Sequence, residues 1–432
     1  MTALETALVT TVVVALASIL GIVAHRSPRF AFVTALCFIC LAPVWVGARI
    51  GFNGNLFVPA TVLVSIAAAV VLLPVRGLRP SPSDALLVLL VLLAASSFIT
   101  SDPTLALSFL VTPFTYFIGG YVLGRIAAAR LGADVVYRAV AILFTTVAAL
   151  AIIEFVTGFN PFIALRVDGA LFQEWGDIQV RGGFARAEGA FGHSIALGSS
   201  LALAIPLTLA ARFPIGARLG MAGLMLCATV VTFSRIGIIC AFLGVLLCAL
   251  FLGDRLRRRE RAAIMIGGGG LALAMLPLVT SVFSEAGEEA VRSGAYRGDL
   301  FPLLSQAELV GFSNTVHRAP SGELSFGPFV SIDSQFVLTS LTTGMLALVA
   351  SCIGLLVAIV LCLRGRAQPA TIAIIAQLPA FATVALITQY AVMLWLIVGI
   401  AATTQALARP AAVPLPGVTP LPLTALAPSR SA

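Results

Sequence analysis

The chain contains no lysine: all 26 of its cations are arginines. Arginine stays protonated in proteins and cannot form a Schiff base, so covalent amine catalysis is excluded while forked pairing with phosphate or carboxylate stays available. Charge of either sign is scarce, at 10% of residues, against roughly a quarter in soluble domains. Histidines number three, and no cluster has metal-ligand spacing, so no metal and no other cofactor is expected. All seven cysteines fall inside apolar runs and none lies in a polar loop, which argues against external disulfides and thiolate metal sites. Gly267 to Gly270 is not followed by Gly-Lys-Ser/Thr, so these glycines fit close helix packing rather than nucleotide binding.

What remains is apolar. Hydrophobic residues make up 60% of the chain and the mean hydropathy is +1.08. They come in repeated runs of about twenty residues, the length a helix needs to cross the hydrocarbon core, whereas outer-membrane barrels show short alternating segments. An all-α, polytopic integral membrane protein is therefore expected. Apolar spans are read at 6–24, 30–48, 56–75, 85–100, 105–124, 135–157, 193–211, 217–233, 236–252, 262–282, 335–363, 370–388 and 391–408, which predicts about 12–13 transmembrane helices. The last pair is short and interrupted at Pro379 and Gln389-Tyr390, leaving a re-entrant segment as the alternative. Residues 1–408 form a single transmembrane domain, and 409–432, rich in proline and without helical period, read as a disordered cytoplasmic tail. Met1 to Glu5 lacks the positive stretch of a cleavable leader, so the first span is expected to stay.

Alternate loops carry Arg26/Arg29, Arg76/Arg79, Arg125/Arg130/Arg138, Arg212/Arg218, the run Arg255 to Arg261, and Arg364/Arg366. The positive-inside rule puts these on the cytoplasmic side. The N-terminus and two long loops, 158–192 and 283–334, are then external, and the Arg255–Arg261 run is a topology anchor rather than a nucleic-acid patch.

The two long loops break that rule. Arg166, Arg181 and Arg186 lie in the first, Arg292, Arg297 and Arg318 in the second, and Arg235 sits in the turn Thr232-Phe233-Ser234-Arg235 on the same side. Guanidiniums on a face that should be poor in them call for an anionic partner, and a membrane-embedded diphosphate suits their forked donors. Local pairing accounts for some of them: Arg292 is i+4 from Glu288, and Arg166 is near Asp168 and Asp177. Arg181, Arg186, Arg235 and Arg297 have weaker local explanations and form the candidate anion clamp. For proton transfer the external candidates are His193, His317 and Asp333, with Glu188 and Glu308 also on this side. His193 opens a span, where a helix N-terminus disfavours the imidazolium and favours a neutral base or donor. Asp333 opens the next long span, where an N-cap role would also explain it.

At these residues the chain resembles the O-antigen ligase and Wzy-type polysaccharide polymerase superfamily of bacterial membrane glycosyltransferases. The matching pieces are Arg186-Ala-Glu-Gly-Ala-Phe-Gly-His193-Ser, Thr232-Phe-Ser-Arg235-Ile-Gly237, Tyr296-Arg297, Gly311-Phe312, and Ser331-Ile-Asp333-Ser-Gln-Phe before a helix containing Gly344. Their order holds over roughly residues 140–400. The resemblance implies a metal-independent, inverting transfer of glycan from a polyprenyl diphosphate-linked oligosaccharide to a glycan or lipid-glycan acceptor, at the outer face of a bacterial inner membrane. It also implies that arginines hold the diphosphate and that a histidine late in the large loop activates the acceptor. Here that place carries Ser331-Ile-Asp333-Ser, so Asp333, His317 and His193 compete for the base, and a polymerase is favoured over a ligase. A flippase or exporter of lipid-linked glycan is the main alternative, weakened by the near absence of charge at mid-span and of an internal repeat. A structural envelope protein is the third.

Overall fold

A computed structural model describes residues 27–50, 56–75, 78–96, 116–167, 169–253, 255–285, 295–296, 298–318 and 324–408. The expected first span, most of 105–124, Arg292, Arg297 and the 409–432 tail lie outside the described residues. The described residues are predominantly helical, with three small hairpins. In chain order the elements are α1 (Pro28–Leu41), β1 (Gly47–Ile50), β2 (Leu56–Pro59), α2 (Ala60–Val71), α3 (Pro82–Ala95), a π-helical turn (Phe117–Val122), α4 (Leu123–Leu131), α5 (Ala133–Thr157), α6 (Ala170–Trp175), β3 (Val180–Arg181) and β4 (Phe184–Ala185). A 3-10 turn (Gly189–Phe191) leads into α7 (Ser194–Ala210), α8 (Ile215–Val231), α9 (Arg235–Phe251) and α10 (Arg258–Glu285). After a second 3-10 turn (Phe301–Gln306) come β5 (Val316–Arg318), β6 (Leu324–Phe326), α11 (Gln335–Thr342), α12 (Met345–Leu363), α13 (Pro369–Ile375), α14 (Leu378–Thr383) and α15 (Thr388–Leu407). By length and composition, α5, α12 and α15 are long and apolar enough to cross a membrane, and α1, α2, α3, α7, α8, α9 and the α13–α14 pair are shorter apolar helices.

Helix α7 is the axis of the bundle. All its residues except Ile195 are buried, and α5, α8, α9, α13 and α15 pack around it. Its sequence explains this central place: Gly198, Ser199, Ser200, Ala202 and Ala204 present small side chains that let neighbouring backbones approach, the main source of helix association in lipid. The closest crossing is with α9, where a Cβ on Gly237 would lie 3.0 Å from the Cα of Gly198. Gly237→Val is therefore expected to force the two helices apart and cost about 1–3 kcal/mol, read as a lowered Tm of the detergent-purified protein. A wild-type Tm would show that the crossing can relax.

Among the described residues, the structure departs from the expected spans at both ends of the β1–β2 hairpin and within 335–363. The 30–48 and 56–75 spans lose their facing ends to the β1–β2 hairpin, paired from Gly47 with Pro59 to Ile50 with Leu56. Pro43 prevents α1 from continuing, and Asn53-Gly54 is a hairpin signal that a hydropathy window outweighs. The 335–363 span divides into α11 and α12 at Thr343-Gly344, because the large loop inserts there: Gly311 N–H donates to Thr343 O at 3.1 Å and Met345 N–H to Glu308 O at 2.8 Å. The expected interruption near Pro379 is present as the break at Ala376-Gln377 between α13 and α14.

Arg125, read from sequence as a loop cation, is buried and paired. Its guanidinium meets Asp84 at 2.6 Å, donates to Thr403 Oγ1 at 3.0 Å, and reaches the carbonyl of Arg79 at 2.9 Å. Tyr121 OH donates to the same aspartate at 2.6 Å. This network joins α3, the π-helical turn, α4 and α15.

Candidate functional site

The segment 176–194 turns back on itself through Gly182-Gly183, both at positive φ (53° and 75°), which suits a two-residue hairpin between β3 and β4. The hairpin aims two arginines at the C-terminal end of α8. Arg186 Nε donates to Thr232 O at 2.9 Å and its NH1 to Gln179 Oε1 at 2.9 Å, and Arg181 NH1 donates to Phe233 O at 3.1 Å. Carbonyls at a helix C-terminus carry partial negative charge, which accounts for the docking. Phe233 turns the chain with φ +47°, Ser234 caps the next helix by accepting Gly237 N–H at 3.1 Å, and half-buried Arg235 is the first residue of α9. Three of the four clamp arginines thus converge on the Thr232–Arg235 turn; Arg297, the fourth, lies outside the described residues.

His193 stands at the N-terminus of α7 beside them. Its Nδ1 accepts Ile195 N–H at 3.1 Å, so the neutral ring carries its proton on Nε2 and is a donor there. Burial first, then the charges of Arg186 and Arg181, push its pKa down to about 3. The ring stands edge-on to Trp175 at 5.6 Å between centroids. Gly192 before it is required: a Cβ there would meet Trp175 O and the Trp45 ring, each at 2.8 Å. The expectation of a neutral imidazole agrees with this geometry, and the hydrogen bond makes it a donor. Arg166 lies over the Phe172 ring, 5.4 Å from its centroid.

A buried polar layer lies behind the arginines. Glu154, in the last turn of α5, accepts the N–H of Glu188 at 3.1 Å, that of Gly189 at 2.8 Å, and Asn160 Nδ2 at 2.8 Å. Glu188 in turn accepts Gln179 N–H at 3.1 Å. Burial raises the Glu188 carboxyl to about 7; the Gln179 N–H and Arg186 oppose the shift, and Glu154 adds to it. Gln389 in α15 donates to Ala190 O at 2.6 Å and Ala42 O at 2.8 Å, tying the first loop to α1 and α15. Asn160, Gln179 and Gln389 belong to this candidate site, although the sequence assigned none of them a part in it. Gln389 had one signal, a polar side chain within an apolar span.

Asp333 and His317 lie in the second loop, over a small apolar cluster of Leu300, Leu303, Phe326, Ile332, Val337 and Leu341. Asp333 is half-buried and accepts Ser331 Oγ at 3.3 Å, while Tyr296 OH donates to Ser331 O. Ser334, not Asp333, caps α11, accepting Val337 N–H at 3.4 Å. His317 is exposed, paired in register with Ser325. The two loops meet through the stretch between α14 and α15: Gln335 N–H donates to Val384 O at 3.0 Å, and Leu386 N–H donates to Gln335 Oε1 at 2.8 Å. Three residues on, Gln389 holds the first loop. Asp333 and His193 therefore sit at one end of the bundle, with α14 packed between α11 and α9.

An apolar slot of about 620 Å³ runs beside α12, from Gln335 and Thr339 at this end to Ser81 and Gln405 at the other, walled by residues such as Leu90 and Trp395. Its lining on α12 extends from Ala347 to Leu361, a length of about 20 Å at 1.5 Å per residue. Among the described residues no group of three or more His, Cys, Asp or Glu is placed to hold a metal ion. No protein-family model, curated protein or solved structure matches this chain.

Proposed function

We propose that this chain is a multi-pass enzyme of a bacterial cell membrane, with about 12–13 spans and its N-terminus outside, that transfers a glycan from a polyprenyl diphosphate to an acceptor hydroxyl at the external face. A polysaccharide polymerase of the O-antigen ligase and Wzy-type superfamily is favoured over a ligase. The observation that carries this reading is the convergence of Arg181, Arg186 and Arg235 on one turn, with His193 beside Arg186 and Arg181 at the N-terminus of α7. Asp333 stands at the same end of the bundle, and the lipid-deep apolar slot opens beside Gln335.

In this mechanism Asp333 takes the proton of the acceptor hydroxyl, whose oxygen attacks the anomeric carbon from the face opposite the diphosphate. The bond from that carbon to the diphosphate oxygen breaks, and its electron pair leaves with the diphosphate. Guanidiniums fixed in a poorly solvated site stabilise that growing charge more than they stabilise the bound donor, and this difference lowers the barrier. His193 Nε2–H adds a neutral donor. The slot takes the hydrocarbon chain of the carrier. His317, exposed on its hairpin, is the alternative base.

Proteoliposomes given lipid-linked oligosaccharide only on the external face should lengthen it, and Asp333→Asn should slow lengthening by about a hundredfold or more, from the lower end of the range for a lost general base. Transbilayer movement of the lipid without lengthening would replace this reading with a flippase or exporter, which the end-to-end reach of the slot favours.

A further inference from the structure

Glu188 lies where the arginine cluster is assembled, yet it is 1% exposed and touches no solvent-facing surface that a glycan could reach. Its carboxylate accepts the N–H of Gln179. Gln179 in turn accepts Arg186 twice, from the guanidinium at 2.9 Å and from the main-chain N–H at 2.9 Å, and accepts Ser194 Oγ at 3.1 Å. One glutamine thus couples the Glu188 carboxyl to the clamp arginine and to the first residue of α7. We propose that Glu188 is a positioning residue of the arginine cluster, and that its charge sets how tightly the cluster grips an anion. This rests on the transfer reading above and adds a control that the reading does not require.

The charged groups facing Glu188 are Arg186, just after the hairpin, and Glu154 from α5; Arg181 stands with Arg186 beside neutral His193, which caps α7. The adjoining 3-10 turn also packs against α1 and α15. Their titratable groups are Cys37, Cys40 and Arg29 in α1, with Arg29 at its far end, and Tyr390 in α15. Ionised Glu188 offsets the charge of Arg186, whereas the neutral acid leaves that charge to a ligand. Burial places the change near neutrality, at about 7, within the range where membrane surfaces work. The sign follows: the folded pKa is raised, so protonation favours the folded site, and this contribution is lost as pH rises from the ordinary carboxylate range through about 7. Linkage requires the reciprocal effect, so a bound anion lowers the acid dissociation constant of Glu188 by the factor by which ionisation weakens binding.

The test is equilibrium binding of farnesyl diphosphate to the full chain in nanodiscs between pH 6 and pH 8. Wild-type affinity should fall by about tenfold more than that of Glu188→Gln, which shares the probe's own ionisation and keeps a neutral hydrogen-bonding side chain. Glu188→Ala should bind weakly at every pH, because the link to Gln179 is gone. A second measurement needs no variant: infrared difference spectra of the wild type at pH 7.5 should show a buried carboxylic acid band growing as the probe is added. Equal pH slopes for wild type and Glu188→Gln, with binding still dependent on Arg186, would overturn this inference alone. A flat infrared difference would do the same. Absence of binding to the wild type would overturn the transfer reading and this inference with it.

Discussion

Arg235→Ala should lower glycan transfer about ten- to a hundredfold without loss of membrane insertion. A hydrogen bond to a charged group contributes about 1.5–3 kcal/mol, and about 1.4 kcal/mol corresponds to a factor of ten in rate. Arg235 is the residue to change first because it is half-buried on the first turn of α9, where Ser234 rather than its own side chain caps the helix. Arg186→Ala should lower transfer at least as much, but with a lower Tm, since its guanidinium also holds Thr232 O and Gln179. Arg181→Ala should fall between the two. Lysine at position 186 should rescue little, because an ammonium cannot reproduce the fork that reaches both acceptors. The checks are product length on a gel and Tm on the same preparations. Wild-type polymer from all three alanine variants would remove the clamp from the mechanism.

The second large effect is on stability. Asp84→Ala should cost about 3 kcal/mol or more, because it strands the Arg125 guanidinium, whose side chain is 5% exposed, without its counter-charge. Arg125→Met should cost less, about 1–2 kcal/mol, since the Asp84 side chain is 36% exposed and water can take over part of its solvation. The order of the two Tm losses is the result to measure. Equal losses, or a larger one for Arg125→Met, would show that Asp84 depends on Arg125 more than its exposure indicates. Neither variant should alter the pH response attributed to Glu188, because the Asp84–Arg125 network belongs to α3, α4 and α15 and shares no residue with the 176–194 segment.

The membrane class was legible because hydropathy is a property of short windows, and lipid acts on each window separately. The helix starts after Ser81, Ser234 and Ser334 are set by side chains that accept N–H groups two or three residues on, caps that were not among the expectations from sequence. Of the candidate site, Arg181, Arg186 and Arg235 stood out in the sequence as charge out of place, and His193 as a titratable side chain opening a span. The division of 335–363 was not, because the residues that cause it, Glu308 and Gly311, come from the large loop and leave no mark in the apolar run itself.

By itself, then, the sequence determined an apolar helical chain, a polar loop between 158 and 192, and a surplus of guanidiniums in it. Only the tertiary structure decided their partners. Arg186 was directed to Thr232, Glu188 and Gly189 to Glu154, Arg125 to Asp84, and Gln389 to Ala190, 199 positions away. The physical reason is that burying charge or an amide in a low-dielectric interior is tolerable only with a partner in hydrogen-bond reach. Local composition reports that cost, but the packing of α5, α7, α8 and α15 selects the partner.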